Sequence, residues 1–292
     1  MVKTNNQRLL QARLPPNLAK RVHSIFACKM AAALWKDKTA IAIDPPIHQQ
    51  LQALQTYLSD VKNPWEQSIA HYIDRDPTFT TTGDASLLGT GAFSPDLHAW
   101  TVVDLSPDLQ ACTKLSSSNP RFVHINELEF VTIILQLAMA IARCEHSPQG
   151  LPEIPLLRIL SDNTTAISWA EKITTKSLKG QTLVRIYGEL LLRSNIGVSI
   201  LHLPGNLNNT ADLLSRPDVN SPALLLLRLP KLTPQEPRLA SWDFFLPSPD
   251  LTLLLESALS STYSQIRIDL PPRLGQFCPI VSSTSNSVLI PV

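Results

Sequence analysis

The stretch IPLLRILSDNTTAISWAEKI, residues 154–173, sets the class of this fold. Its first seven residues form a short apolar run of the length expected for a strand covered on both faces. Ser161-Asp162-Asn163 then ends the strand and supplies a helix cap, and the residues that follow carry helical spacing. A strand feeding a helix is the repeating unit of an α/β sheet. Such sheets gather ligands at the carboxyl ends of their strands, which is where Asp162 falls.

Three neighbouring stretches extend the pattern. Upstream, HINELEFVTIILQLAMAIARCEH (residues 124–146) repeats apolar residues at Leu128, Val131, Leu135, Ala138 and Ala142, predicting a long, largely buried helix. Asn126 with Glu129 reads as its capping box, which puts Glu127 in the first turn. Further upstream, TTGDASLLGTGAF (residues 81–93) reads as a threonine-rich strand carrying Asp84, followed by a small-residue hairpin turn at Gly89-Thr90-Gly91. Downstream, IGVSILHLPGNLNNTADLLSRP (residues 196–217) reads as an alternating strand, a Pro-Gly turn, and a short helix capped by Asn208 or Asn209, with Asp212 in its first turns. Four carboxylates, Asp84, Glu127, Asp162 and Asp212, thus stand at strand ends or helix starts. Each alone is compatible with a turn, a cap or a solvated surface group. Taken in series they suggest a site for hard cations, because magnesium demands oxygen ligands.

The strings GDAS, HINELE, SDNTTAISW and HLPGNLNNTADLLSR resemble, in this order, the RNase H region of DIRS-type and gypsy-type retroelement reverse transcriptases. The resemblance covers residues 78–218, about half of the chain. It implies an α/β, RNase H-like fold with a mixed five-stranded sheet flanked by helices. It also implies that Asp84, Glu127, Asp162 and Asp212 are catalytic metal ligands for two Mg2+ ions, with Mn2+ as a substitute, and that Asp84 bridges them. The implied activity is hydrolysis of the RNA strand of an RNA–DNA hybrid, in which paired ions roughly 3.5–4 Å apart clamp the scissile phosphate. The alternative is a non-catalytic remnant or connection module that binds nucleic acid or a polymerase partner. Many RNase H enzymes carry a histidine just past a loop glycine; here Asn206 follows Gly205 instead. His202 precedes that loop and reads as a sheet-end residue, and His124 as a strand-closing one.

A net charge of +1 is low for a nucleic-acid partner, so any phosphate-binding surface must be local. Lys172, Lys176, Lys179, Arg185 and Arg193 cluster between Asp162 and the last strand, and with Asn163 and Asn206 they form the expected nucleic-acid face. Recognition would read hybrid shape and RNA 2′-hydroxyls rather than base sequence.

Outside residues 76–218 the expectations are coarser. Residues 1–75 suggest a small helical, thumb- or connection-like unit broken at Asp44-Pro45-Pro46. No Tyr-x-Asp-Asp string of a polymerase palm is present, so the chain reads as the back half of a reverse transcriptase, with polymerase and recombinase or integrase modules as partners. From Pro217 on, 11 of the 24 prolines fall in 76 residues, which reads as a Pro-rich linker and tail over 219–292 with short helices, and FCPIVSSTSNSVLIPV (277–292) as disordered. Cys28, Cys112, Cys144 and Cys278 form no C-x-x-C pair, which argues against a zinc site or a disulfide framework. No stretch reaches the roughly 18 uninterrupted apolar residues of a membrane span, and the amino terminus lacks a secretory signal, so an intracellular protein of cytoplasm or nucleus, without a membrane partner, is expected.

Overall fold

The computed structural model describes residues 76–146, 154–216, 239–260 and 268–279. The expected unit at 1–75 lies outside these residues. Among the described residues the chain runs β1 (Phe79–Ala85), β2 (Gly89–Ser94), β3 (Ala99–Asp104), α1 (Pro107–Thr113), α2 (Ile125–His146), β4 (Leu156–Ser161), α3 (Thr164–Lys172), α4 (Leu178–Arg193), β5 (Gly197–His202), α5 (Asn209–Ser215), β6 (Asp243–Pro247), α6 (Pro249–Ser260) and β7 (Gly275–Cys278). The fold is α/β, built on one mixed seven-stranded sheet in the order β5-β4-β1-β2-β3-β6-β7.

Strands β1, β2 and β3 form an antiparallel meander, β4 and β5 run parallel to β1, and the helices between them provide the crossovers. The sheet has seven strands where five were expected. The two additional strands come from the proline-rich region: β6 pairs parallel with the free edge of β3, Trp100 opposite Phe244, and β7 pairs antiparallel with β6. Prolines here punctuate elements rather than prevent them. Pro247 ends β6 and Pro249 opens α6, where a missing N–H costs nothing. Phe277 and Cys278, expected in a disordered tail, lie in β7.

Helix α2 is buried on every side from Glu127 to Ala142, as an all-round apolar helix must be. It is long and apolar enough to cross a membrane by length and composition, but 89% of its most apolar 18 residues is buried in the fold, so core packing accounts for its character. The main core gathers α2 with residues of α3, α4 and α6, including Leu128, Ile133, Leu183 and Leu255. A second, smaller core of Phe93, Trp100, Ala211, Leu214, Leu239 and Trp242 holds α5.

Two glycines place these layers on opposite faces of the sheet. A Cβ on Gly83 would come within 2.5 Å of Thr132 and Gln136 of α2, and one on Gly91 within 2.4 Å of Leu214 of α5. Gly91 lies directly opposite Asp84, and Gly83 opposite Ala92. Cross-strand partners share a face, so Asp84 shares the α5 face while its neighbour Gly83 faces α2. The Gly89-Thr90-Gly91 segment is therefore strand, not the expected turn. The hairpin turns instead at Ser86, whose Oγ accepts from the amides of Leu88 (3.1 Å) and Gly89 (3.2 Å). Strand β4 is buried at Leu157, Ile159 and Ser161 and only half-buried at Leu156, Arg158 and Leu160, so one of its faces is less covered than its apolar run suggests.

Candidate metal centre

Asp84 is the penultimate residue of β1, and Asp162 follows the last residue of β4. Because β1 and β4 are parallel neighbours, with Thr82 opposite Leu160, both strands deliver their carboxylates to the same edge of the sheet. The third acid comes from α2. Glu129 stands one turn and two turns before Thr132 and Gln136, the residues that cover Gly83, and so projects from the sheet-facing side of the helix. Carboxylate oxygens of Asp84, Glu129 and Asp162 all lie within 4.8 Å of one another, the one such grouping of metal-ligating side chains among the described residues.

Asp84 and Glu129 are buried, and Glu129 Oε2 has no hydrogen-bond partner. Burial pushes Glu129 up to about 9, with the charges of Asp84 and Asp162 adding to the effect and the Ala85 backbone amide opposing it. Asp84 is raised to about 6, again first by burial; the Ser215 hydroxyl opposes, Asp162 and Asp212 add, and Arg216 opposes. A buried carboxylate with an unsatisfied oxygen, crowded by two like charges, is costly unless protonated or neutralised by a cation. The donors are all carboxylate oxygens, the set that suits Mg2+, Mn2+ or Ca2+ and not a thiophilic metal.

Glu127, the predicted ligand, serves elsewhere. Its Oε2 accepts from the His124 amide (3.0 Å) and its Oε1 from Ser177 Oγ (2.5 Å), which joins the start of α2 to the start of α4. His124 Nδ1 accepts from the Asn126 amide (3.1 Å). The capping box is therefore His124 with Glu127, a histidine standing where serine or threonine is usual, and not Asn126 with Glu129. This frees Glu129 for the cluster. The signal within the sequence is the three-residue offset from His124, which commits Glu127 to the helix end.

The other predicted residues divide. Asp212 lies in the first turn of α5 and its charge reaches Asp84, yet it is outside the three-carboxylate group and its Oδ1 accepts from Arg216 at 2.5 Å. Asn163 caps α3, its Oδ1 accepting from the Thr165 and Ala166 amides, while its Nδ2 donates to Asn126 Oδ1 (3.0 Å). Asn206 is exposed on the turn after β5, and a Cβ on adjacent Gly205 would lie 3.1 Å from Asp162 Oδ2, so this loop passes beside the cluster. His202 is exposed at the end of β5, opposite Ser161.

Of the predicted basic face, Lys172 and Lys176 are exposed. Lys179 is not part of it: it is buried, and its Nζ donates to the carbonyls of Arg121 (2.9 Å) and Phe122 (2.7 Å). Burial lowers its pKa. Arg185 is half-buried, and Arg193 donates to the carbonyls of Pro271 and Pro272, tying α4 to the segment before β7.

No family model, curated protein or solved structure matches the chain.

Proposed function

We propose that this chain is an RNase H-like nuclease of retroelement type that hydrolyses the RNA strand of RNA–DNA hybrids with divalent cations. The observation that carries the reading is the convergence of Asp84, Glu129 and Asp162 from a first strand, a buried helix and the strand parallel to the first. The five strands β1 to β5 are ordered β3-β2-β1-β4-β5, an arrangement compatible with an RNase H-like sheet, with β6 and β7 as an addition at the β3 edge.

Divalent cations bound there supply activation of water and neutralisation of charge at the scissile phosphate. The chain's own part is to hold carboxylates in place before substrate arrives, at a sheet edge that the Gly205 loop borders. Glu129 takes the role expected of Glu127. Asp212, now paired with Arg216, would be a fourth carboxylate for the cations, and exposed Lys172, Lys176 and Asn206 would meet the backbone of the hybrid. Magnesium and manganese both fit the donor set, and the partner is a duplex recognised by shape.

The test is cleavage of a labelled RNA–DNA hybrid in Mg2+ and in Mn2+, beside RNA–RNA and DNA–DNA duplexes. Loss of hybrid cleavage in Asp162→Asn, with an unchanged melting temperature, is the expected result. Cutting of all three duplexes alike would remove the hybrid from the proposal, and cutting by Asp162→Asn would remove the site. A second reading, a metal-stabilised binding module without turnover, is favoured by the Asp212–Arg216 pair, which occupies the fourth carboxylate. It predicts a cation-dependent rise in melting temperature with every duplex left intact.

A further inference from the structure

Helix α5 is fastened to β1 at both ends by side chains. At its start Asn208 Nδ2 donates to the Gly83 carbonyl (3.2 Å), and at its end Ser215 Oγ lies 2.6 Å from Asp84 Oδ2. Between them Leu214 packs where Gly91 has no side chain. Ser215 is completely buried, and its own carbonyl accepts from Ser86 Oγ, the hydroxyl that organises the β1–β2 turn. The hydroxyl therefore cannot drift from Asp84 without the turn or the helix moving.

Ser215 Oγ has one proton and two acceptors in reach, Asp84 Oδ2 at 2.6 Å and the Asp212 carbonyl at 3.0 Å. The closer, charged oxygen takes it, since hydrogen bonds to carboxylates are the shorter and stronger kind. A carboxylate on a short side chain can rotate about χ2, and one fixed donor on Oδ2 removes that freedom. Oδ1 is the oxygen that this bond leaves unengaged.

From this we infer that Ser215 is a positioning residue, one that sets the orientation of the Asp84 carboxylate for a divalent cation held with Glu129 and Asp162. The inference rests on the metal-centre reading above. It adds that α5 contributes to the site through a hydroxyl and not only through Asp212. Partners of ligating carboxylates commonly change metal affinity by roughly 10- to 100-fold when removed.

The experiment measures Mn2+ binding to the full chain by calorimetric titration, with melting temperature in chelator recorded beside it, for wild type, Ser215→Ala, Ser215→Thr and Asp84→Asn. The expected result is binding weakened about tenfold or more in Ser215→Ala, substantially restored in Ser215→Thr, and abolished in Asp84→Asn. Should Ser215→Ala fail to fold, Ser215→Cys keeps the shape with a weaker donor and is expected to weaken binding while melting near wild type. Binding unchanged in a folded Ser215→Ala or Ser215→Cys, with loss in Asp84→Asn, overturns the role of Ser215 and leaves the metal centre standing. Absence of binding in the wild type, or undiminished binding in Asp84→Asn, overturns the metal centre itself and the inference with it.

Discussion

Glu127 and Glu129 stand two residues apart on α2 and do unrelated work: Glu129 meets Asp84 and Asp162, whereas Glu127 closes the helix start and accepts from Ser177. A helix turns about 100° per residue, so a spacing of two sends side chains to nearly opposite sides. The assignment is open to a direct comparison. Glu129→Gln is expected to bind Mn2+ at least tenfold more weakly and to lose hybrid cleavage, while melting near wild type at pH 7, because the buried acid is already neutral there without metal. Glu127→Ala is expected to keep cation binding and lose about 1–2 kcal/mol of stability, since two donors lose their acceptor. Equal loss of binding in both variants would return Glu127 to the site.

The raised acids make stability depend on pH in a defined direction. Asp84 at about 6 and Glu129 at about 9 hold protons in the folded state that ordinary carboxyls have released in the unfolded chain. The folded state thus carries more bound protons between pH ~4 and ~9, and stability falls as pH rises through that window. Full stability from these groups is present below the usual carboxylate range. A bound cation replaces the protons, so its stabilising effect grows over the same window. Melting curves in chelator and in Mg2+ should diverge from pH 6 to 9, and the chelator curve of Glu129→Gln should be flatter than wild type. A flat wild-type curve in chelator would contradict the burial of Glu129.

The lysines of the predicted basic face separate into two kinds. Lys179→Met leaves the Arg121 and Phe122 carbonyls without a donor and is expected to cost about 1–3 kcal/mol, with little effect on the salt dependence of hybrid binding. Replacing exposed Lys172 and Lys176 by Gln should leave stability within about 0.5 kcal/mol. It should also reduce the slope of log affinity against log salt by about one to two. Fluorescence anisotropy at several salt concentrations gives the slopes. An unaltered slope in the double variant would place the hybrid on another surface.

Much of the central fold was legible because strands end in polar residues and helices begin with caps. Asp84 near the end of β1, Asp162 past β4, Asn163 capping α3 and Asp212 in the first turn of α5 follow from such punctuation. The choice between Glu127 and Glu129 did not, because α2 is apolar on all sides and its periodicity marks no sheet-facing stripe. Histidine is also an unusual N-cap, which hid the capping box. The two extra strands were obscured by prolines read as linker, although these sit at the ends of β6 and α6. Lys179 carries a charge that suggests solvent, but tertiary packing supplies it with two carbonyls. Nothing local encodes that.

Gly91 offers the sharpest test of how the sheet and α5 share the site. A glycine in a strand interior suggests a turn or a weak point, but here the constraint is distance: a Cβ would lie 2.4 Å from Leu214 Cβ and 2.7 Å from the Ser215 amide nitrogen. Backbone cannot yield as a flexible side-chain tip can, so Gly91→Ala must push α5 away from β2. The expected cost is about 1–3 kcal/mol from overpacking. Because Ser215 sits at that contact, the same shift should lengthen its bond to Asp84 and weaken Mn2+ binding. Gly197→Ala is the contrasting case, since its nearest neighbour is the Leu156 Cδ1 at 3.2 Å, a side-chain methyl able to rotate. That variant should melt close to wild type and bind Mn2+ normally. If Gly91→Ala lost stability while binding Mn2+ as tightly as wild type, α5 would be a structural clamp with no hold on the carboxylate.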